Sequence, residues 1–286
     1  DVKMAIPFIE RSHELGKPFF INLWMHEPHT PFHVDPKLLK KFPDLDEADA
    51  IYAATLYHAD LRIGELLNAL DHYGLTENTL VIFSSDNGPA RGAPGTPLGL
   101  TYDTATGLGY GLGAAKGITG GRLEYKGSLM EGGIGVPFIA RWPGKVPAGV
   151  VDQTNIISAV DLLPTFCALA DVPLPVDYRP DGISQVPALE GKSTTGRETP
   201  LFWRMAKKSR AFAVVHKQWK MVADSELSKF ELFDLVADPL ESKELSSYQP
   251  EVVEELKTLI VEWQKTLPAT PSGPVFSALR AENVLK

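Results

Sequence analysis

The segment Thr79-Leu-Val-Ile-Phe-Ser-Ser-Asp86-Asn87-Gly88-Pro89 joins an uncharged apolar run to a carboxylate, an amide and two turn-forming residues. The apolar part predicts a strand that is covered on both faces, and the residues after it favour a turn. In open α/β sheets, ligands bind beyond the carboxyl ends of strands. Asp86 and Asn87 therefore have two possible interpretations. They form half of a site for a hard cation, or they lie in a turn where their side chains hydrogen-bond to the local backbone.

A second apolar run and two helical patterns precede this segment. Residues 18–25 predict a buried strand, and apolar residues at helical spacing predict helices over 3–15 and 47–73. Gly74 ends the second helix. The order of strand, helix and strand favours a parallel α/β sheet.

The pattern changes after a Pro-rich connector at 172–187. Short apolar runs separated by turn-sized gaps predict an antiparallel sheet with strands at 210–216, 219–222 and 230–235. Pro250 opens a strongly amphipathic helix over 250–265. Residues 269–286 predict an extended tail.

Composition limits the class of partner. The 286 residues carry a net charge of -8, which argues against binding to a nucleic-acid backbone. No apolar run approaches the roughly 18 residues needed to cross a membrane. The single Cys167 excludes an internal disulfide, and its apolar helical neighbourhood predicts a buried, inert thiol.

Three polar clusters follow strand-like or glycine-rich segments. They are His26 with His29, Asp86 with Asn87, and Lys126. Each cluster alone has an ordinary explanation, since histidines beside a proline are often surface residues and a lysine in a Gly-rich turn is usually solvated. Together they would neutralise and hydrogen-bond an oxyanion beside a hard metal ion.

In this order, the clusters resemble the formylglycine-dependent type I sulfatases. The resemblance is carried by Pro18-Phe-Phe…His26-Glu-Pro-His29-Thr-Pro, by Asn78-Thr-Leu-Val-Ile-Phe-Ser-Ser-Asp-Asn-Gly, and by Lys126-Gly-Ser…Glu131-Gly-Gly-Ile-Gly-Val-Pro137. Later segments agree, namely Asp161-Leu-Leu-Pro-Thr, Asp181-Gly-Ile-Ser, Trp219-Lys and Glu231-Leu-Phe-Asp-Leu…Asp238-Pro. The resemblance leans toward arylsulfatases and N-acetylgalactosamine-6-sulfatases.

The resemblance implies a fold and a division into domains. The fold is an α/β alkaline-phosphatase-like sandwich, partial because its N-terminal part is missing, followed by a small C-terminal antiparallel sheet with a helix. Residues 1–190 would form the C-terminal part of the catalytic domain. Residues 191–286 would form a small α+β subdomain and the tail.

It also implies a role for each polar cluster. Asp86 and Asn87 would supply two ligands of one calcium ion, whose ligand set is incomplete in this chain. Lys126 would contact both the substrate sulfate and the nucleophile. His29 would bind the sulfate or protonate the leaving alcohol, and His26 would help to bind the substrate. Oxygen ligands suit calcium, and histidine suits acid catalysis near neutral pH.

The chain departs from the family pattern in its nucleophile. Relatives form formylglycine in a Cys/Ser-x-Pro/Ala-x-Arg motif, which is absent from this sequence. The family's N-terminal Asp-Asp metal ligands are absent too, and Gly135 stands where many relatives carry Arg. We therefore expect the formylglycine in a missing N-terminal part and expect the chain alone to be inactive.

Two other classes of function stay open. One is a non-catalytic module that binds a sulfated ligand. The other is a metal-dependent phosphatase or phosphodiesterase of the same superfamily, although those enzymes place a zinc-binding His where this chain has Asn87, a better ligand for calcium. A small sulfated carbohydrate is the expected substrate, with the missing N-terminal portion or a second copy as a protein partner. The family favours a bacterial periplasmic or secreted location.

Overall fold

The computed structural model describes residues 2–92, 98–103, 107–192, 197–205 and 209–267. The chain forms two compact units. The first unit is Asp1–Gln153 with Gln185–Ser193, and the second unit is Thr154–Ser184 with Thr194–Lys286. The sequence-based domains 1–190 and 191–286 stay a prediction.

Two amphipathic helices organise the first unit. Helix α1 covers Val2–Glu14, and its buried residues lie on one side. A single turn, α2, covers Pro36–Leu39. Helix α3 covers Glu47–His72 and begins at Asp46, whose side chain caps the first turn. Gly74 follows α3 at a φ of +66°, a conformation that glycine adopts without strain. Both long helices confirm the predictions from apolar spacing.

The strands of the first unit form two antiparallel pairs. Strand β1 (Val81–Ser84) pairs with β4 (Phe138–Arg141), and β2 (Leu100–Asp103) pairs with β3 (Gly107–Tyr110). The second pair lies in a Gly-rich stretch where no regular element was predicted. Two short helices complete the unit, α4 at Glu131–Ile134 and α6 at Val186–Leu189.

The buried strand predicted at 18–25 is not formed. Residues 17–26 belong to no helix or strand, and the side chains of Phe20 and Trp24 are 68% and 80% exposed. The prediction that β1 is covered on both faces is also wrong, because Phe83 is exposed. An apolar run shows that a segment is hydrophobic, but it does not show which other element packs against that segment. Among the described residues β1 pairs with β4 alone, so the expected parallel pairing is not observed.

The second unit contains the predicted antiparallel sheet and helix. Its strands run in the order β5–β6–β7–β8 and cover Arg197–Arg204, Phe212–Lys217, Trp219–Ala223 and Phe230–Asp234. Helix α7 (Pro250–Thr266) packs Leu256 and Ile260 into the core of this sheet. Strand β5 was not predicted because Pro200 and several charged residues interrupt its apolar pattern, and its register shifts between Arg197 and Leu201.

Helix α5 covers Leu162–Leu169 in the second unit. Cys167 on this helix is a free thiol that is half-buried. None of the helices in the described part of the chain is long and apolar enough to cross a membrane. The tail predicted at 269–286 lies outside the described residues.

Candidate active site

Asp86 and Asn87 lie on the turn that directly follows β1. The side-chain amide of Asn87 donates to Oδ1 of Asp86, which holds the two side chains together. Ser85 stabilises the turn by donating its hydroxyl to the carbonyl of Asn87 at 3.1 Å. Asp86 is exposed. The turn therefore presents a carboxylate and an amide side by side at the end of a strand, as the sequence predicted.

Backbone hydrogen bonds join this turn to the segment that carries Lys126. The N–H of Gly88 donates to the carbonyl of Gly133 at 2.8 Å, and the N–H of Lys126 donates to the carbonyl of Pro89 at 2.9 Å. The ammonium of Lys126 is solvent-exposed and makes no ion pair with any described residue. The structure thus brings Asp86, Asn87 and Lys126 onto neighbouring turns, with the cationic group available to a ligand.

Glycines permit the close approach of these two turns. A Cβ on Gly88 would lie 2.0 Å from the carbonyl oxygen of Gly132. A Cβ on Gly132 would lie 2.1 Å from the carbonyl oxygen of Glu124. Because real side chains do not tolerate such distances, the glycines of the Asp-Asn-Gly and Glu-Gly-Gly motifs are needed for backbone packing.

The donor atoms at this turn fit a hard cation. Asp86 Oδ2 and the amide oxygen of Asn87 accept no hydrogen bond from the residues that the structure describes. Two oxygen ligands suit calcium, which takes 6–8 of them. Across the described residues, no group of three or more His, Cys, Asp and Glu side chains is arranged to hold a metal. These two residues would therefore form part of a larger ligand set.

His26 and His29 occupy one tight turn in the same unit. The N–H of His29 donates to the carbonyl of His26 at 2.8 Å, and the two rings lie edge to face with centroids 5.8 Å apart. Nδ1 of His29 lies 2.6 Å from the carbonyl oxygen of Thr30, which can only accept. Nδ1 is therefore the protonated nitrogen, and Nε2 is left to take or give a proton.

His26 differs from His29 in the environment of its Nε2 atom. Nε2 of His26 is buried and has no hydrogen-bond partner in the described part of the chain. A buried polar atom without a partner is costly, so such atoms often mark a site for a ligand or water. No hydrogen bond or ion pair between described residues joins either histidine to Asp86, Asn87 or Lys126.

Aromatic packing links the histidine turn to the rest of the first unit. Phe32 pairs through its backbone with Tyr110, and its ring meets the ring of Tyr52 at 6.0 Å between centroids. The Tyr52 hydroxyl and Cβ of Pro89 both lie within 3.0 Å of the position of a Cβ on Gly117. Burial raises the pKa of Tyr52, which remains a neutral phenol. Phe32 and Tyr52 thus join the histidine turn to the segment that follows Asn87.

Sequence reasoning missed two residues beside the histidine turn. Glu27 lies within the turn, and its Oε1 is 3.0 Å from Nδ1 of His58 on α3. A contact across 31 positions leaves no local pattern in the sequence, so neither Glu27 nor His58 could be recognised in this way.

Two family models match the chain. The model described as Sulfatase matches residues 2–172, and the model described as N-sulphoglucosamine sulphohydrolase, C-terminal, matches residues 122–266. Together they cover both compact units and every candidate site residue.

Individual relatives agree with these models. The N-acetylgalactosamine-6-O-sulfatase of Bacteroides thetaiotaomicron is 31% identical over 85% of this chain and 47% of its own length. Arylsulfatase G of Rattus norvegicus is 33% identical over 67% of this chain and 34% of its own length. The chain thus spans half or less of the curated relatives it matches.

A solved structure confirms the fold class. Ps i-CgsB in complex with k-i-k-neocarrahexaose superposes with a TM-score of 0.75 at 26% identity, covering 92% of this chain and 53% of that chain. The architecture is the alkaline-phosphatase-like fold of sulfatases. The predicted family is confirmed: this chain belongs to the sulfatase family of sulfuric ester hydrolases.

Proposed function

We propose that this chain supplies the calcium-binding and sulfate-binding part of an active site that hydrolyses a sulfate ester. The observation that supports this proposal is the pair of backbone hydrogen bonds between the Asp86–Asn87 turn and the Lys126 segment. They join the backbone of the turn with two candidate oxygen ligands to the backbone of the segment with an exposed lysine. Such an arrangement suits an anionic group with several oxygens, such as a sulfate ester.

Each side chain has a distinct role in this proposal. Asp86 and Asn87 would hold the calcium ion, which would stabilise negative charge on the sulfuryl oxygens. Lys126 would bind the sulfate and contact the nucleophile. His29, whose Nδ1 is occupied by Thr30, would use Nε2 to bind the sulfate or protonate the leaving alcohol. His26 would contribute its buried Nε2 to substrate binding.

The nucleophile would come from outside this sequence. The 286 residues contain no Cys/Ser-x-Pro/Ala-x-Arg motif, so we propose that formylglycine is supplied by a segment that the sequence does not include. The chain alone is then expected to bind but not to turn over a sulfate ester. An N-terminal portion of the same protein is the proposed partner, with a second copy of the chain as an alternative.

A sulfated carbohydrate is the proposed substrate. One relative is named an N-acetylgalactosamine-6-O-sulfatase, and a similar structure binds a neocarrahexaose. The bacterial origin of the first relative supports a periplasmic or secreted location.

Hydrolysis of 4-nitrophenyl sulfate tests the proposal. We expect no turnover by the 286-residue chain, and calcium-dependent turnover when the chain is produced in frame with a segment that carries the formylglycine motif. In the joined protein, Lys126→Met should abolish turnover, whereas the control Lys145→Met, at another exposed lysine, should retain it. Turnover by the chain alone, or equal activity of the two variants, would contradict the proposal.

The same assay separates the two alternatives. A non-catalytic module would bind sulfate in the joined protein without hydrolysing the ester. A phosphatase of the same superfamily would prefer 4-nitrophenyl phosphate and respond to zinc rather than calcium. Asn87 favours calcium, so we expect the sulfate ester to be the better substrate.

A further inference from the structure

The turn that carries His26 and His29 is attached firmly on one side. Downstream, Phe32 and Tyr110 exchange two backbone hydrogen bonds, at 2.9 and 3.1 Å. Upstream, residues 17–26 belong to no helix or strand. The position of the imidazole rings therefore depends on contacts other than strand pairing on that side.

A side-chain contact holds the other side of the turn. Oε1 of Glu27 lies 3.0 Å from Nδ1 of His58. Glu27 directly follows His26, and His58 lies near the middle of α3, a continuous helix of 26 residues. Since a carboxylate oxygen accepts the hydrogen bond, Nδ1 of His58 donates it. The contact therefore connects the histidine turn to the longest rigid element of the first unit.

The surroundings favour a carboxylate at this position. The contact lies in the wall of a cavity of about 260 Å³, which is lined by Val2, Lys3, Met25, Glu27, His58 and Arg62. Glu27 is the one acidic residue among these six, and three of the others are basic. Nε of Arg62 is buried without a hydrogen-bond partner in the described residues, while Nη1 of the same guanidinium donates to Oε2 of Glu65 at 2.9 Å.

The contact between Glu27 and His58 is partly buried. The side chains of Glu27 and His58 are 24% and 38% exposed, so water and salt screen them only in part. The hydrogen bond does not depend on the charge of His58, because Nδ1–H donates in both the neutral and the protonated ring.

We infer that Glu27 and His58 are positioning residues, which fix the turn so that His26 and His29 keep their places in the site. Neither residue need touch the substrate. This inference rests on the proposed function for the role of the two histidines, but the geometry it describes can be tested without turnover.

The test uses the full chain with ¹³Cε1-labelled histidine and follows ring signals by ¹H–¹³C correlation. His58→Leu removes the donor at similar size, and we expect the His26 and His29 signals to leave their wild-type positions. His58→Asn keeps a donor where Nδ1 lies, so both signals should stay. His13 and His216, which lie elsewhere, report whether a change is local. Single His→Gln substitutions assign the signals.

A matched control on the same helix separates this effect from a general loss of charge. Glu65→Gln removes the carboxylate that accepts from Arg62 at 2.9 Å, and it should leave both signals in place. If His58→Leu fails to fold, His58→Gln replaces it, since its donor lies one bond further out, and the same displacement is expected. Unmoved signals in the folded variant that lacks the donor, or an equal displacement in His58→Asn, would overturn the inference.

Turnover gives an independent comparison. In the protein joined to a formylglycine segment, His58→Leu should lower kcat by on the order of tenfold to a hundredfold, because misplaced groups react slowly. His58→Asn should restore most of it. A joined protein with no activity would contradict the proposed function and leave the ring signals as the test of positioning.

Discussion

Two aspartates that carry the family resemblance, Asp161 in the second unit and Asp86 in the first, have opposite surroundings. Asp161 is fully buried, and its carboxylate accepts two hydrogen bonds from Arg197 at 2.7 Å and one from each N–H of Ser158 and Ile183. Asp86 is exposed and is bonded to the amide of its neighbour Asn87. The carboxylate of Asp161 is therefore fully hydrogen-bonded within the protein, whereas the carboxylate of Asp86 is presented to solvent.

Two further motifs of the second unit also have a structural role, like Asp161. In Asp181-Gly-Ile-Ser, a Cβ on Gly182 would lie 2.1 Å from the carbonyl oxygen of Val160, so the glycine allows Ile183 to reach Asp161. In Trp219-Lys, the ammonium of Lys220 lies 2.7 Å from Oε1 of Glu241, and both side chains are fully buried. These charges stabilise packing and are inaccessible to a substrate. The candidate site residues lie instead in the first unit, where Asp86, Lys126 and His29 are exposed.

The largest expected effect follows from the buried pair of Asp161 and Arg197. Arg197→Met leaves the carboxylate buried without its cation, and we expect it to lower the free energy of unfolding of the second unit by about 3–5 kcal/mol. The control is Arg210→Met, which removes an equally bidentate partner from Glu231 at a half-exposed position. It should cost about 0–1 kcal/mol. Urea unfolding followed by tryptophan fluorescence measures the free energy of unfolding of both variants. Similar losses in the two variants would show that burial does not make the Asp161–Arg197 pair more important for stability than the Glu231–Arg210 pair.

A second prediction concerns the close approach of the two turns in the first unit. Gly88→Ala puts a methyl group 2.0 Å from the carbonyl oxygen of Gly132, so we expect a loss of about 1–3 kcal/mol from overpacking. It should also weaken calcium binding, because the turn that carries Asp86 must move. Gly64→Ala, in an open position on α3, should be neutral or stabilise by up to about 1 kcal/mol. Thermal melting and terbium luminescence test both variants, and normal terbium binding by Gly88→Ala would contradict the prediction.

Sequence alone predicted the elements whose pattern is local. Apolar residues recur at the spacing of the side chains that face a core. This spacing predicted α1, α3 and α7, and short apolar runs predicted the last three strands. The interactions between distant residues could not be read in this way. Glu27 with His58 and Asp161 with Arg197 are separated by 31 and 36 positions, and neither residue of a pair reveals its partner.

The failed strand at 18–25 has a related cause. Its apolar run is compatible with burial, yet the side chains of Phe20 and Trp24 are mostly exposed. The turns that carry the candidate site residues follow from local sequence more directly than this strand does. Asp86, Asn87 and Lys126 lie on turns that the breakers Asn, Gly and Pro specify locally, and glycine packing then brings those turns together.

A third prediction separates stability from binding in the first unit. Asp86→Asn removes a charge that packing does not need, so the free energy of unfolding should change by less than about 0.5 kcal/mol. Calcium affinity should fall by at least about tenfold, since affinity depends on the number of charged ligands. Asp44→Asn, at another exposed aspartate, should change neither quantity. Calorimetric titration with calcium and urea unfolding provide the two measurements, and unchanged affinity in Asp86→Asn would exclude this carboxylate as a ligand.

The smallest effect concerns acid and returns to the second unit. Burial alone would raise the pKa of Glu244, but the N–H groups of Leu232 and Ser246, at 3.0 and 2.6 Å, outweigh it and hold the pKa below the ordinary value of 4.5. A carboxyl whose pKa is lower in the folded state stabilises the fold above its unfolded pKa and loses that contribution as the pH falls through the folded pKa. Glu244→Gln should therefore narrow the difference in urea midpoint between about pH 7 and about pH 3.5. The control Glu226→Gln, in the exposed turn before β8, should leave this difference in urea midpoint unchanged. An equal response of the two variants would mean that the N–H groups of Leu232 and Ser246 do not determine how acid affects the stability of this sheet.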